Sequence, residues 1–332
     1  MKAIVHYEYG SADGLELKEI DKPEVGSSEI LVRVRAAGLD RGVWHVMTGL
    51  PYPIRLAGTG LRAPKNPVLG MDVAGVVEAV GNDVRRFHVG DEVFGVAKGS
   101  YAEYAIARED KLAPKPANLT FEQAAVVPTS GATALQAVRD KARIQSGQKV
   151  LIIGASGGVG TYAVQLAKAL GAEVTGVCST TKVDLVRSIG ADHVVDYKRE
   201  DFAETEHRYD VMLDIGGNSS LSHLRRALTP KGTLVITGGE TDGRWLGGVD
   251  RQLRAMMLSP FVGQKLGTFV ASVRAEDLIV LKELIEAGNV TPVIDRTFSL
   301  SEAAKAIHYL VEGHARGKIA IAVHDINEGV TR

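Results

Sequence analysis

The chain has 332 residues, 45% of them hydrophobic and 24% charged, with a formal net charge of −1 at neutral pH. That length accommodates two domains, the composition is that of an ordinary soluble globular protein, and near-neutrality offers no overall basic field to nucleic acid or an acidic membrane. A single cysteine, Cys178, excludes a disulfide within the chain and any multi-cysteine zinc site. The start, Met1-Lys-Ala-Ile-Val-His-Tyr-Glu-Tyr, puts an acid where a secretory signal would be apolar, so it reads as a strand. No apolar run approaches the roughly 18 uncharged residues of a membrane span, and a cytoplasmic location is expected.

Residues 1–122 read as short strands broken by glycine and proline. Residues 30–36 alternate with period two, and 73–80 and 92–96 are further strand candidates. Turn signals separate them at Pro51, Pro53, 64–67, Gly81-Asn82 and Gly90-Asp91. The prediction is a mostly β, curled or barrel-like domain. Thr120 with Gln123 three residues on has the form of a capping box and marks a change of character. Strands and helices then alternate over 149–153, 162–170, 173–178, 182–189, 193–195, 210–214, 219–227 and 233–237, which predicts a doubly wound parallel sheet. Residues 265–271 supply a last strand, 277–287 a helix ending at Gly288, 299–310 a second amphipathic helix with Ser301 as its cap, and 317–323 a final strand before a polar tail.

Within the second part, Lys149-Val-Leu-Ile-Ile-Gly154-Ala-Ser-Gly157-Gly158-Val-Gly160 joins a buried strand to a helix, and a second strand follows Gly171. Glycines at the first turn of such a βαβ unit let the backbone approach a pyrophosphate, and the helix N-terminus presents free N–H groups and a positive dipole end to it. The second strand ends Cys178-Ser179-Thr180-Thr181-Lys182, with no acid before Asp184. An acid there would hold the ribose of NAD, whereas hydroxyls and a lysine suit a 2′-phosphate, so the expected cofactor is NADP(H). Lys182 also reads as a solvated residue of the next helix. Tyr197, after the third strand, is placed to cover the adenine side. Cys178, at the end of a buried strand, reads as a packed thiol.

With these motifs in place the chain resembles the medium-chain dehydrogenase/reductase superfamily, and within it the zinc-free quinone oxidoreductases. The likeness covers nearly the whole sequence: Met1-Lys-Ala-Ile-Val, Leu31-Val-Arg-Val-Arg-Ala-Ala-Gly38, Pro67-Val-Leu-Gly70-Met-Asp72-Val-Ala-Gly75, Val89-Gly-Asp91-Glu-Val-Phe-Gly, Gly99-Ser-Tyr101-Ala-Glu-Tyr and the glycine loop. The resemblance implies an α/β protein with a GroES-like β-barrel domain, 1–122 and 273–332, and a Rossmann NADP(H)-binding domain, 123–272, with the substrate cleft between them. It implies cofactor contacts from Thr129 or Thr133 near the nicotinamide and from Ser156, Gly157, Gly158 and Val159 at the pyrophosphate. Ser179, Lys182 and Tyr197 would hold the 2′-phosphate end, with the loops Asp214-Ile215-Gly216-Gly217 and Thr237-Gly238-Gly239 at the carboxyl ends of later strands. Lys318 lies in a terminal stretch that sometimes reaches the cofactor; a solvated lysine at a strand start is the alternative.

The zinc alcohol dehydrogenases of the superfamily hold their metal through Cys, His and Cys. Those positions fall here on Asp40, Met71 and Val126 or Val127, and the four-cysteine lobe after Gly90-Asp91 is missing. No metal is expected. Where quinone reductases often carry Asn and, five residues on, Tyr, this chain has Asp40 and His45. Asp40 can accept from the nicotinamide carboxamide, and His45 can give a proton to a carbonyl or quinone oxygen; a solvent-facing place on a helix is the plainer reading of His45. Tyr52, Trp44 and Tyr101 would line an aromatic slot or simply pack, and the insertion from Pro51 to Pro67, with Arg55, Arg62 and Lys65, would wall the cleft. The expected activity is hydride transfer from NADPH to a small-molecule quinone or other conjugated carbonyl. Alternatives are a 2-alkenal or enoyl reductase, or an NADPH-binding protein with little catalysis. The strand at 265–271 would lie at a sheet edge, which relatives pair across a twofold axis, so a homodimer is expected.

Overall fold

A computed structural model describes residues 1–323 apart from 205–206, 218, 239–242 and the side chain of Ala57; the expected polar tail and Gly239 lie outside the described residues. Its contacts divide the chain into a first unit, Met1–Ala132 with Val273–Ala287 and Pro292 onward, and a second unit, Thr133–Ser272 with Gly288–Thr291.

The first unit begins with the antiparallel pair β1 (Lys2–Val5) and β2 (Glu16–Glu19). β3 (Glu29–Leu39) leads into α1 (Arg41–Thr48), and β4 (Asp72–Val80), β5 (Glu92–Lys98) and β6 (Tyr104–Pro114) follow. β3 pairs with both β4 and β6, and β4–β5 and β5–β6 complete an antiparallel ring, so the expected barrel is present. Its interior is filled by Ile30, Val32, Val34, Val73, Val77 and Leu112, all buried. The alternation of β3 is what points the first three of these inward. α2 (Phe121–Ala125) opens with the expected capping box: the Thr120 hydroxyl accepts from Gln123 N at 3.2 Å and the Gln123 side chain accepts from Thr120 N at 3.0 Å. α3 (Pro128–Leu135) carries the chain across the division between the units.

The second unit runs β7 (Lys149–Ile153), α4 (Gly158–Ala169), β8 (Glu173–Cys178), α5 (Val183–Ser188), β9 (His193–Asp196), β10 (Tyr209–Asp214), α6 (Leu221–Ala227), β11 (Leu228–Ile236), α7 (Val249–Leu258) and β12 (Lys265–Thr268). Its six strands lie in the order β12-β11-β10-β7-β8-β9 with every neighbouring pair parallel. That is the doubly wound sheet that the alternating pattern predicts, with its central strands apolar because both faces are covered. β12 is shorter than the expected 265–271, because the ladder ends where β11 does, at Ile236 opposite Thr268.

The chain returns to the first unit as α8 (Ala275–Glu286), β13 (Ile294–Ser299), α9 (Ala303–Val311) and β14 (Lys318–Ala322). β14 extends the barrel sheet by pairing antiparallel with Ala36–Leu39 of β3. The residue capping the turn into α9 is Ser299, which forms the box with Glu302; the expected cap, Ser301, instead meets the Ser299 hydroxyl at 3.0 Å.

Candidate functional site

In the second unit the glycine loop is set by backbone conformation. Gly154 sits at φ 85°, a left-handed value that side chains resist. A Cβ at Gly160 would lie 2.0 Å from the Gly154 carbonyl oxygen, so the loop folds this tightly only with glycine there. Gly157 is the N-cap of α4 and brings no side chain to cap it. The first-turn N–H groups of a twelve-residue helix therefore have no side-chain partner at the cap, and Ser156, Gly157, Gly158 and Val159 are gathered around them. This cradle, closed by glycine and rich in donors, fits a pyrophosphate.

The neighbouring loops are drawn together. Ile215 N and Gly216 N both donate to Ile153 O, at 3.1 and 3.3 Å, and a Cβ at Gly238 would lie 1.9 Å from Ile215 O. Asp214 has no exposure, and burial pushes its carboxyl up to about 6, against the pull of Arg251 at 2.8 Å. Arg251, from α7, also donates to Ser219 O at 3.0 Å and Gly238 O at 3.2 Å. It thus ties the loops after β10 and β11 to one cation. Sequence reading missed Arg251 because α7 itself was not read as a helix.

At the carboxyl ends of β8 and β9, Ser179 O accepts from Lys182 N at 2.9 Å in the turn before α5, and Tyr197 N donates to Cys178 O at 3.1 Å. The Tyr197 ring is exposed. The end of β8 itself carries no acid before Asp184, as expected, but the adjacent strand brings one beside it. Parallel register sets Asp196, the last residue of β9, opposite Cys178. Its carboxylate accepts from Thr180 Oγ1 at 2.6 Å and Lys198 N at 3.1 Å and pairs with Arg199 at 3.4 Å. The Thr180 hydroxyl leads in holding that carboxyl below its ordinary value. A linear reading stops at the end of β8 and cannot see what the adjacent strand contributes. Burial, with Asp196 adding to it, pushes the Cys178 thiol up to about 11.

The first unit holds a second group of polar residues. Asp40 is the N-cap of α1; its Oδ1 accepts from Gly42 N at 2.7 Å and Val43 N at 3.3 Å, while its Oδ2 is buried without a partner among the described residues. Asp72, paired across the sheet with Gly38 and wholly buried, accepts from both the backbone N–H and the hydroxyl of Thr129. Burial first, then Asp40, raises its carboxyl to about 7, with Lys318 opposing. Lys318 is not a solvated strand-start lysine: it is 2% exposed and donates to Ser130 Oγ at 3.0 Å. Asp72 and Ser130 were not singled out from sequence. Thr133 lies four residues beyond Thr129 on α3.

His45 lies in the last turn of α1, half-buried, with Nδ1 2.6 Å from Leu50 O. A carbonyl only accepts, so Nδ1 carries the proton, and Nε2 bears one only in the imidazolium. Tyr52 and Tyr9 flank the Arg55 guanidinium, at 4.9 and 4.3 Å from the ring centres. Tyr101 lines no slot: it has no exposure, packs in the barrel core and donates to Gly38 O at 3.3 Å. Trp44 packs partly against that core. Among the described residues no three His, Cys, Asp or Glu side chains stand together as a metal site.

Two family models match the chain: an alcohol dehydrogenase GroES-like domain over residues 26–117 and a zinc-binding dehydrogenase over 189–321. The chloroplast envelope quinone oxidoreductase homolog of Arabidopsis thaliana is 32% identical over 341 aligned positions, covering 97% of this chain and 98% of that protein. The NADPH-dependent alkenal/one oxidoreductase of the same plant is 32% identical, covering 97% of this chain and 79% of its own. The solved structure of a quinone oxidoreductase from Coxiella burnetii superposes with a TM-score of 0.85 at 29% identity, covering 98% of this chain and 99% of that one.

Proposed function

The chain belongs to the medium-chain dehydrogenase/reductase family, on its quinone oxidoreductase-like side, and from that premise we propose that it uses NADPH, without zinc, to reduce quinones or other conjugated carbonyl compounds, as a cytoplasmic homodimer. The observation that carries the reading is the glycine loop, whose uncapped helix N-terminus suits a pyrophosphate and whose Gly160 leaves no room for a side chain. When bound, the cofactor supplies the hydride. The hydroxyls of Ser179, Thr180 and Thr181 and the cations Lys182, Lys198 and Arg199 favour a 2′-phosphate, and Asp196 is already engaged by Thr180 and Arg199. The open Oδ2 of Asp40 suits the carboxamide N–H of the nicotinamide.

The positions that hold zinc in alcohol dehydrogenases carry an aspartate, a methionine and buried valines here, a poor donor set for that ion. Electron-poor conjugated acceptors need little Lewis acid help, and alignment in a dry site supplies much of the rate. His45, as the imidazolium, is the candidate donor to the oxygen that becomes negative; for a quinone, water serves as well.

The test is NADPH oxidation followed at its absorbance band with 1,4-benzoquinone, 9,10-phenanthrenequinone and a 2-alkenal, with and without chelator. Chelator-resistant quinone turnover is the expected result. Preference for the alkenal moves the reading towards the alkenal/one reductases, and tight NADPH binding without turnover on any acceptor replaces it with a binding protein.

A further inference from the structure

We infer that Asp72 is a positioning residue that fixes the hydrogen-bond polarity of Thr129, making the Thr129 hydroxyl oxygen an acceptor for the carboxamide N–H of a bound nicotinamide. This rests on the reading above that a nicotinamide cofactor binds.

A threonine hydroxyl has one hydrogen and two lone pairs, and ordinarily turns to suit whatever it meets. Here it is committed. Thr129 Oγ1 donates to Asp72 Oδ1 at 2.5 Å, while Thr129 N reaches both Asp72 oxygens at 3.1 and 3.2 Å. An ionised carboxylate can only accept, so any further partner of the Thr129 oxygen must donate to it. Asp72 has little freedom to let go. It is wholly buried in the barrel sheet opposite Gly38, and that glycine is crowded: a Cβ on it would lie 2.4 Å from Ala125 O and 3.0 Å from Asp72 Cβ.

The next residue is held by the opposite charge, since Lys318, itself buried, donates to Ser130 Oγ at 3.0 Å. The amino end of α3 is thus gripped by a carboxylate and an ammonium on consecutive hydroxyls. Asp40, Lys318 and Tyr101 are the other ionisable groups facing Asp72. Of these, Asp40 adds a second acceptor through its unpartnered Oδ2, in a residue 9% exposed. Acceptors gathered in this way call for a ligand group rich in N–H, and a primary carboxamide has two.

The experiment is calorimetric titration of NADP⁺ and of its 3-acetylpyridine analogue, in which a methyl ketone replaces the carboxamide and both N–H groups are lost. It is run at pH 8.5, above the value of about 7 for Asp72, on the wild-type protein, Asp72→Asn and Thr129→Val. An asparagine keeps the shape but has one acceptor oxygen where the carboxylate has two, so the Thr129 hydroxyl is no longer committed to donating and can turn its hydrogen to the ligand side. The wild-type protein is expected to prefer NADP⁺ by about thirtyfold, the worth of two ordinary hydrogen bonds. In both variants that preference falls to about fivefold, the bond that Asp40 keeps, with affinity for the analogue little changed. Thr129→Val leaves Asp72 in place and decides the matter if Asp72→Asn does not fold. A preference undiminished in the variants, or missing from a wild-type protein that binds both compounds, overturns the inference and leaves the cofactor reading standing. Binding of neither compound by the wild-type protein brings down both.

Discussion

Arg251 is worth more than its place in a helix unread from sequence would suggest. It faces a carboxylate with no exposure to water, Asp214, at 2.8 Å, and two loop carbonyls besides. Removing one partner of a buried ion pair strands the other, which typically costs about 3–5 kcal/mol. Arg251→Met is therefore expected to lower stability by that order in denaturant titration and to weaken NADPH binding, since the loops after β10 and β11 lose their tie. Asp214→Asn removes the wholly buried charge and leaves Arg251 its two loop carbonyls, so it should cost less; equal losses from the two substitutions would show that the Asp214 charge is not what matters. Cys178 gives the opposite case, a residue expected to do nothing. It is buried, and its thiol is pushed up to about 11, so little nucleophilic thiolate is available near neutrality. A chromogenic disulfide reagent at pH 8 should find no reactive thiol in the folded protein and one after denaturation.

At the scale of elements, the sequence was legible wherever one local rule decided the outcome. The period-two pattern of β3, the capping box at Thr120 and the glycine spacing before α4 are each written within a dozen residues, and each is found in the structure. What escaped was set across the chain. Asp196 comes beside the end of β8 through strand register, Asp72 meets Thr129 over a separation of 57 residues, and Lys318 meets Ser130 over 188. No short-range pattern encodes those meetings, although each brings a charged side chain to a group of polar residues within its own unit. The turn after β8 allows a prediction at this scale. Lys182 is the N-cap of α5, at the end of the turn that Ser179 opens, with Lys198 and Arg199 following β9, so Lys182→Ala should weaken NADPH binding several-fold while barely changing NADH binding. Equal losses for both cofactors would remove the lysine from the 2′-phosphate.

For the molecule as a whole, two buried acids set the direction of its pH dependence. Asp72 is raised to about 7 and Asp214 to about 6, from ordinary values near 3.8. A carboxyl raised in the folded state holds its proton there when the unfolded chain has lost it, so stability falls as pH rises from about 4 to about 7. The melting temperature should thus increase as pH is lowered from 8 towards 5, and Asp214→Asn should flatten that rise; a profile that falls over this range would contradict the burial argument. Below about 4 the carboxyls that are held low, among them Asp192 and Asp196, reverse the trend as they are protonated.

Assembly is the remaining question at this scale, and the sheet itself poses it. β12 ends the parallel sheet with one side unpaired among the described residues, and an open strand edge is a site for pairing with another chain. Around it the surface is apolar: Phe261 is 85% exposed and Val270 95%, more than an isolated chain needs to show to water. Two copies meeting edge to edge about a twofold axis would cover both features at once, and such a contact closes on itself without continuing into a fibre. Light scattering on the eluting protein should give twice the 35.4 kDa of one chain. Val270→Asp, at a position too exposed to disturb folding, should shift the population to the single chain with its melting curve broadly retained. A wild-type protein that elutes as one chain would mean that the β12 edge is left open in solution.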